Sequence, residues 1–116
     1  LLEQHRYNEA FLVFDSIQRQ FPYHGIVADV LLRKGIAYEQ QGKWDQAIVY
    51  YEEILEKFGA EMLADDAAFH LGNIYENHLI DTEKAKEYYF KILKEYKDSL
   101  YTTEARKRYR ELEKVL

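Results

Sequence analysis

The side chains best suited to acid–base or metal chemistry in this sequence are four histidines and two pairs of adjacent carboxylates. No histidine belongs to an HExxH motif or has a second histidine four residues away, the spacing at which a helix presents two imidazoles to one zinc ion. His70 and His78 are two helical turns apart, and Asp65-Asp66 lies about one turn before His70. We therefore favour solvated polar side chains over a metal site for all of the histidines. They are His5, His24, His70 and His78.

The carboxylate pairs, Glu52-Glu53 and Asp65-Asp66, do not have the geometry of a catalytic dyad. Adjacent residues of a helix point about 100° apart, because a turn takes about 3.6 residues, so the two carboxylates of a pair do not converge. The sequence also contains no GxSxG motif, no P-loop and no glycine-rich phosphate cradle. We predict that the chain is not an enzyme and needs no cofactor.

Charge and composition narrow the class of partner. The chain has 116 residues, of which 16 are basic and 21 acidic, so its net charge is −5. A general nucleic-acid binder needs a positive face, so we expect a protein or peptide partner and no nucleic acid. The absence of cysteine excludes disulfides, thiolate zinc sites and a cysteine nucleophile. No apolar run approaches the roughly 18 residues of a membrane helix, so we expect no membrane insertion by this segment.

The sequence contains an internal repeat, which predicts the helices that carry the side chains discussed above. Six columns of similar residues recur at spacings of 37 or 38. They are Ala10/Ala47/Ala85, Phe14/Tyr51/Tyr89, Ile17/Ile54/Ile92, Phe21/Phe58/Tyr96, Gly35/Gly72 and Tyr38/Tyr75. The first four columns fall at i, i+4, i+7 and i+11, which is one stripe of an α-helix.

Two residue types in these columns carry structural predictions. Glycine costs about 1 kcal/mol inside a helix, so its recurrence at Gly35 and Gly72 predicts a neighbouring helix too close for a Cβ. The tyrosine pairs Tyr50-Tyr51 and Tyr88-Tyr89 could form a stacking platform for bases, but Tyr51 and Tyr89 lie on the buried stripe. We therefore predict that both pairs pack in the core, with Tyr50 and Tyr88 sealing the contact with the next repeat.

Several segments resemble the tetratricopeptide repeat (TPR). Leu71-Gly72-Asn73-Ile74-Tyr75 resembles its first helix, the segment from Gly42 to Tyr51 resembles its turn and second helix, and Pro22 resembles its closing proline. The resemblance implies an all-α fold, a right-handed superhelix of antiparallel helix pairs. The usual period is about 34 residues, and we place the added residues around Gly25-Ile26-Val27 and near Leu79-Ile80.

A second resemblance rests on the long turn from Glu95 to Tyr101 and on Glu104-Ala105-Arg106. These segments are similar to those of bacterial outer-membrane-assembly lipoproteins and of periplasmic TPR proteins associated with the Tol-Pal system. The periplasm or cell envelope is therefore favoured over the cytoplasm as an expectation.

We predict a single solenoid over residues 1–116. It divides into the second half of a truncated repeat at 1–25, repeats at 26–61 and 62–98, and a C-terminal capping helix at 99–116. The predicted helices run near residues 7–20, 26–41, 44–58, 62–78, 81–96 and 99–116.

The resemblance implies that the first helix of each repeat lines a concave binding surface. Carried over by position, the first repeat contributes Asp29, Leu32, Arg33, Ile36, Glu39 and Gln40, and the second contributes Asp66, Phe69, His70, Asn73, Glu76 and Asn77. The terminal helix adds Thr103, Arg106, Lys107 and Arg110. Leu32 and Ile36 stand where TPR proteins that clamp chaperone carboxylates carry polar residues, so we predict against that ligand. Whether these two line the groove or pack on a preceding helix stays open.

The expected function is a protein-interaction scaffold that binds a peptide or helix in this groove. The alternatives are a self-association module and an accessory segment of a larger enzyme or regulator. Because the chain begins with Leu1, we expect an excerpt in which Phe11 and Val13 flank an apolar stripe that is covered by upstream repeats or by a second copy. Tyr109 stands in the glycine column, so we expect the stack to stop at the C-terminal helix.

Overall fold

The computed structural model describes residues 7, 9–13, 26–59 and 63–114. Several residues named above therefore lie outside its described part. They are Leu1, His5, Phe14, Ile17, Phe21, Pro22, His24 and Gly25.

Five helices follow one another from residue 26 onward: α1 (Ile26–Gln40), α2 (Trp44–Lys57), α3 (Ala64–Asn77), α4 (Thr82–Glu95) and α5 (Thr102–Glu113). Tyr7 and residues 9–13 are helical as well. Within the described ranges there is no strand. Each of the five helices packs against the next one in the chain, so the molecule is an array of helical hairpins with sequential neighbours.

The core consists of the repeating stripe wherever the structure describes it. Tyr51, Ile54, Tyr89 and Ile92 are fully buried, and so are the alanines that begin each stripe on α2 and α4. The tyrosine rings lie in the core, as predicted for Tyr51 and Tyr89. Burial of such large apolar surfaces is the main favourable contribution to folding, so the repeated residues hold each hairpin closed.

The two helix glycines lie directly against these tyrosines. A Cβ built on Gly35 would be 2.5 Å from Tyr51 Cε1, and one built on Gly72 would be 2.6 Å from Tyr89 Cε1. Real Cβ atoms do not approach other atoms this closely. The predicted close approach is confirmed, and the neighbour in each case is the tyrosine of the second helix of the same hairpin.

Tyr50 and Tyr88, the chain neighbours of the two buried tyrosines, make different contacts. Tyr50 stacks on Tyr38 within its own hairpin, with ring centroids 5.5 Å apart. Tyr88 stacks on Tyr75 in the same way, and its hydroxyl also donates a hydrogen bond of 3.1 Å to Glu52 on α2. Of the two, Tyr88 shows a contact with another hairpin, and that hairpin is the preceding one rather than the next.

The turns that close the two hairpins share a left-handed residue. Gly42 has φ 75° two residues before α2, and Ile80 has φ 52° two residues before α4. The added residue predicted near Leu79-Ile80 therefore lies in a turn that keeps the same backbone bend. Asp81 caps α4 by accepting a hydrogen bond from the Lys84 N–H at 3.1 Å.

The last helix begins later than predicted, at Thr102 and not at residue 99. Ser99 donates a hydrogen bond of 2.6 Å to Asp65 and accepts one from the Tyr101 N–H at 3.0 Å. These bonds hold residues 97–101 as turns, since a serine that bonds local backbone competes with helix formation. No described helix is both long and apolar enough to cross a membrane.

Candidate functional site

An open groove is lined by the C-terminal end of α1, the start of α2, the middle of α3 and the residue that follows α3. Its volume is about 340 Å³, and we call it the inner groove. It is lined by Ile36, Glu39, Gln40, Trp44, His70 and His78. Residues of the predicted concave surface therefore do come together here, from two different hairpins.

Glu39 is the polar centre of the inner groove. Its Oε1 accepts a hydrogen bond of 2.6 Å from the Tyr51 hydroxyl and lies 3.0 Å from His70 Nδ1. Burial raises the pKa of this carboxyl, but the hydrogen bonds from His70 and Tyr51 more than offset burial and lower it. Glu39 is thus an ionised carboxylate that joins α1 to α2 and α3.

The histidines of the groove are stacked on aromatic rings and are not simply solvated, which corrects the sequence-based interpretation. His70 stacks on Tyr51 with ring centroids 5.0 Å apart, and His78 stacks on Trp44 at 3.8 Å. Trp44 and His78 were absent from the predicted site. Trp44 begins a second helix and His78 follows the end of α3, whereas the position-by-position reasoning considered only residues within the first helices. Tryptophan at the start of a second helix was the available signal.

Leu32 is a correction to the predicted site. Its side chain is only 9% exposed and belongs to the hydrophobic core. Phe69 holds the equivalent position in the next hairpin, and its ring stacks on Tyr101 of the following first helix at 4.4 Å. By register, Leu32 holds the position from which Phe69 contacts the following hairpin.

Several predicted residues of α3 join helices to one another. Asn73 accepts a hydrogen bond of 2.7 Å from the Tyr89 hydroxyl, and Glu76 accepts one of 2.8 Å from the same group. Glu76 also forms an ion pair with Arg108 of α5. This arrangement repeats that of Glu39, because each glutamate joins the buried tyrosine of its own hairpin to a basic side chain of the next.

Asp66 accepts a short hydrogen bond from the Tyr101 hydroxyl. That bond, together with burial, raises the pKa of Tyr101 to about 12. Asp66 therefore fastens the start of α5 to α3, and its carboxylate faces a tyrosine and not open solvent.

The remaining predicted residues are exposed. Arg33 pairs with Asp29 one turn away at 3.0 Å, and Asn77 is exposed at the end of α3. Arg106 and Arg110 line a second concavity, on α5, of about 710 Å³. This concavity shares no lining residue with the inner groove. The structure thus divides the predicted surface into two parts.

Metal-binding geometry is not found in the described residues. No group of three or more His, Asp or Glu side chains there is placed to hold a metal ion. Asp65 and Asp66, which precede His70 by about one turn, accept hydrogen bonds from Ser99 and Tyr101.

Comparison with known families agrees with the repeat geometry. A sequence profile described as tetratricopeptide repeat matches residues 28–58, and a second profile with the same description matches residues 66–99. The two matches cover the α1–α2 and α3–α4 hairpins and together span more than half of the chain. No curated protein and no solved structure matched the chain significantly. The all-α superhelical fold is therefore confirmed, and the chain belongs to the tetratricopeptide-repeat family.

Proposed function

We propose that this chain binds a peptide or a helix of another protein in the inner groove and catalyses no reaction. Tetratricopeptide repeats in general mediate interactions between proteins. The observation that carries the finer proposal is the lining of the groove. An apolar side chain, Ile36, and an indole, Trp44, stand beside a carboxylate and the exposed amide of Gln40.

This combination suits the recognition of a protein segment. Aromatic side chains are enriched at protein interfaces, and polar groups beside them fix the orientation of a bound chain. A groove of about 340 Å³ takes one or two side chains and not a whole helix. The partner would therefore insert anchor residues here while its backbone runs along the inner surface.

In this proposal, Glu39 and His70 stabilise the packing of the helices and take no part in a reaction. A carboxylate beside an imidazole, as in Glu39 and His70, is also the arrangement of a general base with its orienting group. Both are held by Tyr51, whose hydroxyl bonds Glu39 and whose ring stacks on His70. Because these contacts hold Glu39 and His70 between two hairpins, they favour a structural role over a catalytic one.

The test is selection of binding peptides from a random displayed library on the folded chain, followed by NMR mapping. We expect the amide shifts to cluster on α1 and α3 around the inner groove. The variants Ile36→Asp and Gln40→Arg should weaken binding by about tenfold or more, as changes at central contact residues do. Val49→Asp is the matched control, because Val49 is 60% exposed on α2 and outside the groove. Shifts confined to α2 and α4 would contradict the proposal.

The bacterial cell envelope is our proposed setting, and it rests on the resemblance of the long turn at 95–101 and of Glu104-Ala105-Arg106. Fractionation of cells that express the full-length protein tests it. Recovery in the cytoplasmic fraction would contradict it.

Self-association is a second candidate, supported by a specific observation. Leu12 and Val13 are 69% and 57% exposed on the N-terminal helical segment. These two residues are adjacent in the chain, and apolar side chains that are exposed together can form a surface that contacts another chain. Light scattering over a range of concentrations tests this, and Leu12→Ser should shift the chain toward monomer. A monomer at every concentration would exclude this candidate.

A further inference from the structure

The register of the repeat identifies an uncovered face on α5. Side chains of α4, of α5 and of Tyr101, the residue before α5, contact four residues of α3: Asp66, Phe69, Asn73 and Glu76. The equivalent positions 37 residues later are Thr103, Arg106, Arg110 and Glu113. These residues line the concavity of about 710 Å³, and no side chain from another described helix lines it with them.

Three of the four basic side chains on this face have no acidic partner among the described residues, and the same holds for Lys94 and Lys97. Several other described lysines and arginines do have one, as Arg33 has Asp29, Lys57 has Glu53, Lys91 has Glu95 and Arg108 has Glu76. Arg106, Lys107 and Arg110, by contrast, form no ion pair or hydrogen bond with the described residues. They are exposed and share the concavity with Lys114, which pairs with Glu111 at 3.5 Å.

The spacing of these cations along the chain destabilises α5 when no anion is bound. Arg106 and Arg110 are four residues apart, and so are Arg110 and Lys114. Like charges at this spacing repel each other on a helix surface. Glu111 and Glu113 line the same concavity and offset part of this repulsion, and a bound anionic group would relieve more of it.

We propose that the basic face, formed by Arg106, Lys107, Arg110 and Lys114, docks an acidic segment of a partner protein. The inference rests on the proposed function, since it specifies the chemistry of a partner for the same interaction module. An acidic polypeptide is favoured over nucleic acid because the chain has a net charge of −5 and because Glu111 and Glu113 border the face. A long polyanion would meet repulsion from both.

The experiment measures binding of a labelled peptide rich in Asp and Glu by fluorescence anisotropy at low and physiological salt. We expect saturable binding that weakens as salt rises, because the contacts are exposed and screened. The double variant Arg106→Glu with Arg110→Glu should weaken binding by roughly tenfold or more, since two attractions become repulsions. The matched control is Lys94→Glu with Lys97→Glu, which changes the net charge equally at two exposed lysines away from the face. This control should bind within about twofold of the parent.

Three results would overturn the inference. They are no binding of the acidic peptide, equal losses in the two double variants, or an oligonucleotide of the same charge binding as tightly as the peptide. Thermal unfolding of both variants shows whether they are folded, and the exposed positions predict parental stability. The proposed function is tested independently of this inference. Library-selected peptides that map to Ile36 and Trp44 test the inner groove without involving α5.

Discussion

At the scale of single residues, the missing methyl groups of Gly35 and Gly72 set how closely the helices of each hairpin approach. Ring atoms of Tyr51 and Tyr89 occupy the space that a Cβ would need. Glycine is unfavourable inside a helix by about 1 kcal/mol, and burial of an aromatic ring returns more than that. The glycine and the tyrosine therefore form one packing unit.

We predict that Gly72→Leu lowers the free energy of unfolding by about 1–3 kcal/mol, through overpacking against the Tyr89 ring. Urea unfolding followed by circular dichroism measures the change. Asn77→Leu on the same helix is the control, because Asn77 is exposed and should change stability by less than about 0.5 kcal/mol. A Gly72→Leu protein that unfolds like the parent would show that the assigned packing is wrong.

Ile80 carries backbone strain that its counterpart Gly42 avoids. A β-branched residue with φ 52° is disfavoured by about 1–2 kcal/mol, whereas glycine adopts this region freely. We predict that Ile80→Gly raises the free energy of unfolding by about 0.5–1 kcal/mol, because Ile80 is 73% exposed and loses little packing. Differential scanning calorimetry tests this. Leu79→Gly, one residue earlier, should instead destabilise the protein, and equal effects from the two changes would remove the strain argument.

At the scale of elements, α5 is held to the rest of the molecule mainly by polar contacts. Tyr101 bonds Asp66, Ser99 bonds Asp65 and Arg108 pairs with Glu76. The helix α5 buries fewer large apolar side chains than α2 or α4, since its buried residues are Ala105 and Leu112. The docking of α5 therefore depends on hydrogen bonds more than that of α2 or α4 does.

We predict that Tyr101→Phe loosens α5 while its ring stack on Phe69 persists. Loss of a hydrogen bond to a carboxylate costs about 1–2 kcal/mol in this partly exposed position. Amide hydrogen exchange in α5 should then become faster than in α2. Tyr109→Phe is the control, because Tyr109 packs on Phe90 and its hydroxyl has no hydrogen bond among the described residues. Unchanged exchange in α5 would mean that apolar contacts alone dock the helix.

At the scale of the whole molecule, the ionisation of buried tyrosines makes the free energy of unfolding depend on pH in the alkaline range. Burial and hydrogen bonding or charge from nearby carboxylates raise the pKa of Tyr51 and Tyr88, and burial and Glu104 raise that of Tyr89. An unfolded tyrosine loses its proton at a pKa of about 10. The native state therefore binds more protons than the unfolded state above this pH, and the free energy of unfolding must decrease as pH rises.

We predict a free energy of unfolding that is insensitive to tyrosine ionisation below about pH 9 and falls progressively above about pH 10. Urea unfolding at a series of pH values measures it. The variant Tyr88→Phe should show a shallower fall, because one of the raised groups is removed. A stability that stays constant through this range would contradict the raised pKa values.

Much of the fold follows from local pattern. Glycine and tyrosine at a fixed period, and alanine and isoleucine on one helical stripe, define which faces are buried, since helix periodicity and side-chain size are properties of the chain itself. The concave surface was predictable in part, because Ile36, Glu39, Gln40 and His70 do meet in the groove. Trp44 and His78 were missed because their stack depends on how two hairpin ends approach each other.

The sequence by itself determined the helices, the repeat and the residues that close each hairpin, because these depend on contacts between residues close in the chain. Only the tertiary structure decided which polar groups are consumed by packing between hairpins. Asp66 and Glu76 share α3 with polar residues that remain accessible, and distinguishing them requires the position of the next hairpin. The rotation of one hairpin against another is set by many weak contacts at once, so the burial of Leu32 follows from the packed structure and not from local pattern.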